Sequence, residues 1–238
     1  MTTRIKLGDI DVDVVFKDIK NIHLSVHPPT GRVRISAPSR MKLDTIRAFA
    51  LTKLQWIKEH RRRFQDQERE TPREYIDRES HYFFGKRYLL RVIEEKKRGY
   101  VTLTNSTIDL HVKKGTSMKM RHGIMNEWYR GELKRALPEV IRIWEKRIGV
   151  STEDCGIKLM KTRWGSCNRK ARRIWINLEL AKKPPICLEY VVVHELIHFL
   201  EPHHNDKFKK HMDEVMPQWR AYREQLNRFP LSHGEWKY

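Results

Sequence analysis

His194-Glu195-Leu196-Ile197-His198, followed after a proline by His204, is the stretch that decides how this chain of 238 residues is read. On a helix, residues four apart lie on one face about a turn from each other, so His194 and His198 can reach a single ion. Glu195 then stands beside the metal without ligating it, where it can take a proton from a water that the ion activates. Two imidazoles leave a tetrahedral ion underfilled, and catalytic zinc usually takes a third protein ligand and keeps one position open. The third ligand has to come from elsewhere.

Pro202 biases Glu201 out of the helical region, so the helix should end near Leu200 or Glu201. Asn205 or Asp206 suits the N-cap of a following helix with Phe208, Met212 and Val215 on one face. His204 sits just before that cap. It is the choice for third ligand because it follows His194 by ten residues, the separation in the longer metzincin-type motif. Glu201 stands where that motif carries a turn glycine, so a different turn must serve here, and His203 and His211 remain alternatives. Composition alone gives the five-residue pattern in about one chain in twenty, and a histidine at a fixed later position lowers that to roughly a few per thousand. The competing reading is a helix with two histidines on a partly polar face. Against it, Tyr190-Val191-Val192-Val193 and Phe199-Leu200 surround the motif with apolar residues. Buried histidines and a buried glutamate need partners, and a metal supplies them.

The 49 Lys and Arg outnumber the 30 Asp and Glu, for a net charge of +19. Basic clusters lie at Lys58–Arg63, Lys96–Arg98, Arg169–Arg173 and Lys207–Lys210. Each alone reads as a solvated face, while together they point to an acidic or polyanionic partner, with a nucleic acid or nucleotide among the candidates. No segment has the length and apolarity of a membrane span, so no membrane partner is expected, and the first residues lack the apolar core of a secretory signal. Cys155, Cys167 and Cys187 are odd in number and widely spaced, which argues against a disulfide framework and for a reduced, cytoplasmic setting. The sequence does not fix an oligomeric state.

Along the chain, alternating runs at Asp11–Phe16, Asn21–Val26 and Gly31–Ala37 predict strands, two of them forming a hairpin through the Pro28–Gly31 turn. A helix is expected over 43–64, then a polar linker over 65–78, then short strands at Ser80–Phe84, Lys86–Ile93, Tyr100–Leu103 and Thr107–Val112. A long helix over Ser117–Ile148, with Pro138 as a possible kink, leads to strands at Gly156–Met160 and Arg173–Ile176. Between those strands, 161–168 reads as a tight turn whose glycine lets backbone approach closely. The metal helix should start at Pro184-Pro185. The class is α+β, with a mainly antiparallel β region over 1–115 and a helical metal-binding region over 116–238.

Lys161-Thr-Arg-Trp-Gly-Ser-Cys167, Asn177-Leu178 with Leu180, and Tyr190 through His198 with His204 together resemble the YgjP-like metallopeptidase family, related to the SprT-like and wider zincin peptidases. Arg32–Pro38, Phe84–Leu90 and Trp128-Tyr129 extend the likeness over nearly the whole chain, and Lys209 departs from it where the family more often has tryptophan. The resemblance implies a zincin-like fold, Zn2+ held by His194, His198 and His204, and Glu195 as catalytic base. It also brings a branch assigned as nucleoside-triphosphate pyrophosphatases and an association with restriction-modification neighbourhoods.

The leading expectation is therefore a zinc-dependent metallohydrolase, a cytosolic peptidase acting on polypeptide. Arg163, Ser166 or Tyr190 could serve an oxyanion, but Arg163 and Trp164 read equally well as a packing turn, Ser166 reads rather as packing and Tyr190 as a buried wall of the cleft, so none is assigned a catalytic role. One alternative is a metal-dependent nucleoside-triphosphate pyrophosphatase, which the charge favours and the lack of a phosphate-cradling glycine loop opposes. Another is a DNA-associated adaptor in which zinc only holds the fold, which the retained glutamate opposes.

Overall fold

The structure, a computed structural model, describes residues 2–27, 30–66, 73–160 and 163–229. Residues 67–72 of the expected 65–78 linker, and 28–29 and 161–162 of two expected turns, lie outside them. The chain forms two compact units, 1–68 and 69–238. Among the described residues no helix is long and apolar enough to cross a membrane.

The first unit is a four-stranded sheet with two helices. Its strands are β1 (Thr2–Leu7), β2 (Ile10–Lys17), β3 (His23–His27) and β4 (Arg32–Pro38), in the order β1-β2-β4-β3. The two outer pairs are antiparallel and the central β2–β4 pair is parallel. Period-two alternation puts Val12 and Val14 of β2 and Val33, Ile35 and Ala37 of β4 into one core with Ile46, Ala50 and Ile57 of the helices. The expected helix over 43–64 is in fact two, α1 (Leu43–Thr52) and α2 (Leu54–Asp66). Lys53 breaks it, at φ −106° and ψ 9°, where the Thr52 hydroxyl donates back to the Phe49 carbonyl and competes with the helical ladder. Strand β1 is additional to the sequence expectation.

The second unit repeats that sheet topology. Strands β5 (Ser80–Phe83), β6 (Lys86–Glu94), β7 (Tyr100–Leu103) and β8 (Thr107–Val112) run in the order β5-β6-β8-β7, again with antiparallel outer pairs and a parallel centre. Leu90, Ile108 and Leu110 pack in the same core as Met125, Tyr129 and Leu133 of α3 (Met118–Ile148). That shared core is why the expected division at 115/116 falls inside this unit. Helix α3 runs through Pro138, starts on the Ser117 side chain and ends at Gly149 in the left-handed region, φ 77°.

A three-stranded sheet follows, built from β9 (Asp154–Lys158), β10 (Gly165–Asn168) and β11 (Arg173–Asn177) in the order β10-β11-β9. The stretch expected to be only a tight turn is corrected here: Ser166 and Cys167 pair with Trp175 and Ile174 as an antiparallel edge strand. A 3-10 turn at Leu178–Lys182 leads to α4 (Pro185–Ile197), α5 (Asp206–Val215) and α6 (Trp219–Arg228).

Both four-stranded sheets carry a buried aspartate clasped by arginine across the central parallel strands. Asp13 on β2 accepts from Arg32 of β4 at 2.5 Å, and Asp109 on β8 accepts from Arg91 of β6 at 3.0 Å. Burial works to raise the Asp109 pKa, but the Arg91 hydrogen bond and charge, with the Thr107 hydroxyl, outweigh it and hold the carboxyl below its ordinary 3.8. A depressed carboxylate contributes stability above its unfolded pKa and loses it as pH falls through the folded one. Asp109→Asn should therefore lower stability at neutral pH, only modestly because the Arg91 side chain is 56% exposed to screening solvent. Urea unfolding of the two proteins should show that gap closing as pH drops below 3.8. A gap that stays constant into acid would refute the ion pair's role.

Candidate metal centre

Helix α4 opens on Pro184-Pro185, with proline at the position where a missing amide proton costs nothing. Cys187, Leu188, Val191, Val192, Val193, Leu196 and Ile197 are all buried, so packing rather than amphipathicity holds this helix. Its last turn carries His194 and Glu195, and His198 caps it. The α-helix ends at Ile197, and the amides of Leu200 and Glu201 both donate to the Ile197 carbonyl at 2.9 Å, carrying a tightened turn as far as Glu201. Glu201 does the work of the missing turn glycine. Its carbonyl faces His198 Nδ1 at 3.0 Å, and its carboxylate accepts the His203 amide at 3.1 Å. Asn205 then caps α5 by accepting the Phe208 amide at 3.0 Å.

That turn brings His204 back over α4, with its Nε2 2.9 Å from the Nε2 of His194. One ligand atom each from His194, His198 and His204 lies within 4.8 Å of the others. His203 and His211 are outside this group; His211 lies 3.9 Å from Glu214 instead. The three imidazoles surround Phe208, with ring centroids 5.0, 4.9 and 4.8 Å from it. The sequence marked Phe208 only as one member of a helix face.

The donor set suits a divalent cation. Burial first, then the charges of His198, His204 and Arg223, pull the His194 pKa down to about 3. Burial likewise lowers His198 and His204. Three neutral rings thus converge with lone pairs available. A proton on His198 Nδ1, donated to the Glu201 carbonyl, leaves its Nε2 free to ligate. Tetrahedral zinc places ligand nitrogens about 3.3 Å apart, close to the 2.9 Å between His194 and His204.

Glu195 is 6% exposed. Burial pushes its pKa up to about 8, against the pull of the Arg163 charge. Across from it lies Gly165 of β10, where a Cβ would come within 2.6 Å of Glu195 Oε1 and 2.9 Å of Val191 Cγ1. The close approach that the sequence attributed to this glycine is an approach to Glu195. Asn177, fully buried, fixes the start of that strand: its amide donates to the carbonyls of Met160 at 3.0 Å and Arg163 at 2.7 Å, and its oxygen accepts the Met160 amide at 3.2 Å.

The histidines and Glu195 open into a cleft of about 580 Å³ whose walls include Arg163, Trp164, Ser166 and Tyr190. Tyr190 meets His194 edge-on at 5.9 Å, and burial raises its pKa to about 12, so its proton stays. Cys167, also on the wall, is pushed up to about 11 by burial and by Glu195, which rules it out as a thiolate nucleophile near neutral pH. Arg169 and Arg223 line the cleft as well. Sequence reasoning listed Arg169 only within a basic cluster and did not find Arg223, because nothing in the local pattern of α6 marks which face meets α4.

The YgjP-like, metallopeptidase domain profile matches residues 20–229. No curated protein matches the chain. Two solved structures are similar to part of it. One is the metallopeptidase zymogen of Pyrococcus abyssi abylysin, 15% identical with a TM-score of 0.36, covering 37% of this chain and 90% of that one. The other is the metallopeptidase zymogen of Methanocaldococcus jannaschii jannalysin, 19% identical with a TM-score of 0.35, covering 37% of this chain and 85% of that one.

His198→Ala should abolish stoichiometric metal uptake, whereas His203→Ala should leave it intact. Metal content measured by mass spectrometry after equilibration with zinc checks both. Equal zinc in the two variants would disprove this ligand set.

Proposed function

The chain belongs to the YgjP-like metallopeptidase family, and from there we propose that it is a zinc-dependent peptidase of the zincin type. In this reading His194, His198 and His204 are the ligands and Glu195 the general base. Three imidazoles favour zinc over magnesium, which prefers oxygen ligands. A zinc ion held there would supply Lewis acidity toward the scissile carbonyl and toward water. Glu195 takes the water's proton and returns it to the leaving nitrogen. Burial raises the proton affinity of Glu195, which makes it a stronger base than an exposed carboxylate. Tyr190 keeps its phenolic proton and lines the cleft, so it can donate to a developing oxyanion.

The observation that carries the peptide reading is strand β10 beside Glu195. Among the described residues it is the edge of its sheet, paired only with β11. Trp164 and Asn177 form a hydrogen-bonded pair, since the Asn177 amide donates to the Trp164 carbonyl at 2.9 Å. Alternation along an antiparallel ladder then turns the amides and carbonyls of Gly165 and Cys167 away from β11. An extended polypeptide can add to such an edge. A reduced, cytosolic setting belongs to the same proposal, supported by three free cysteines. The second reading, a nucleoside-triphosphate pyrophosphatase, draws on the arginines of the cleft; an edge strand gives a nucleotide nothing to pair with.

Peptide and nucleoside-triphosphate hydrolysis assayed side by side on zinc-loaded protein separate the two readings, with turnover expected for peptide. Glu195→Gln should retain zinc and lose activity by about 10²–10⁴-fold, the usual range for a general base. Full activity in that variant would remove Glu195 from the mechanism. Gly165→Ala should also retain zinc, while the added methyl group displaces Glu195 and lowers kcat more than it raises KM. A wild-type kcat there would show that the contact is inconsequential.

A further inference from the structure

Three arginines line the cleft, Arg163, Arg169 and Arg223, and Glu195 is the one carboxylate that does so among the described residues. All three are exposed. Elsewhere on the surface, Arg142 pairs with Glu139, Arg173 with Asp154 and Arg228 with Glu224. The cleft arginines have no carboxylate partner among the described residues. Their charges reach into the site: Arg163 acts on Glu195, Arg169 on His198, and Arg223 on His194 and His204.

Their placement is as telling as their charge. Arg163 lies two residues before the first residue of β10 and Arg169 one after its last, so the two stand near opposite ends of the edge strand. Six extended residues span about 20 Å at most, the reach of a bound peptide of similar length. Arg223 belongs to α6, a separate element of the same cleft. A neutral segment entering the cleft offers these guanidinium groups carbonyl acceptors but no countercharge, and a lysine would be repelled. A carboxylate side chain accepts the planar guanidinium fork in two parallel hydrogen bonds.

We infer that the cleft selects acidic polypeptide segments, with Arg163, Arg169 and Arg223 as carboxylate subsites around the scissile bond. This rests on the peptidase reading and adds the chemistry of its substrate. It also gives a local meaning to the net charge of +19, which steers acidic chains toward the protein.

The test uses matched peptides that differ only by Asp/Glu against Asn/Gln on both sides of the cleaved bond. Zinc-loaded protein should cleave the acidic peptide with at least tenfold higher kcat/KM. Fluorescence anisotropy on the metal-free chain should show the same preference in binding, weakening as salt is raised. Arg169→Glu should erase that preference or turn it toward a lysine-bearing peptide, while Arg142→Gln, outside the cleft, should leave it unchanged. Equal cleavage and equal binding of the two peptides would overturn the inference and leave the peptidase reading standing. Failure to cleave either peptide, with hydrolysis of a nucleoside triphosphate instead, would overturn both.

Discussion

The site depends on the close approach of Glu195 to Gly165. A carboxylate that is almost wholly buried lies between the last turn of α4 and the backbone of β10, with no room for a side chain on the strand. Two consequences come from this single contact. Loss of water raises the proton affinity of Glu195. The same contact sets the edge strand beside the three histidines, so that an added strand would lie against the reacting groups. Helix α4 can bear this arrangement because most of its other side chains are buried in the surrounding core, which fixes it as a rigid base.

Around that contact, three small devices fix the positions of the groups. Asn177 ties both ends of the segment between Met160 and Arg163, so β10 starts where Gly165 meets Glu195. Glu201 closes the turn after α4 with its own main chain and side chain, orienting His198 through the carbonyl. Phe208 sits among the imidazoles as an apolar post against which each ring packs. None of the three carries the chemistry. Each removes a freedom that the chemistry could not tolerate, which is why a site of three imidazoles and one carboxylate needs so much of the second unit.

Much of this was legible in the sequence. The helix and its two histidines followed from spacing, the return of His204 from Pro202 and Asn205, and the need for a glycine at 165 from its place between two strand patterns. The alternating runs gave β2, β3, β4, β6 and β8 nearly to the residue. Local pattern could not show what depends on distant partners. Strand β10 is short and flanked by turn-forming residues, so only its pairing with β11 reveals it. The helix break at Lys53 rests on one side-chain hydrogen bond, and Arg223 is placed by the docking of α6. The duplicated sheet topology left no trace because the repeats share strand order and not residues. Even the arginine–aspartate clasp has its two members exchanged between the strands.

The two separate cores have a consequence for the order of events during synthesis. The first unit's buried core runs from Ile5 to Ile57, so its residues leave the ribosome before those of the second unit's core. The second unit's core is strung from Tyr75 to Leu226, with the histidine turn and α6 emerging late. The three histidines and Glu195 are therefore brought together only after the residues of the first unit's core have been made.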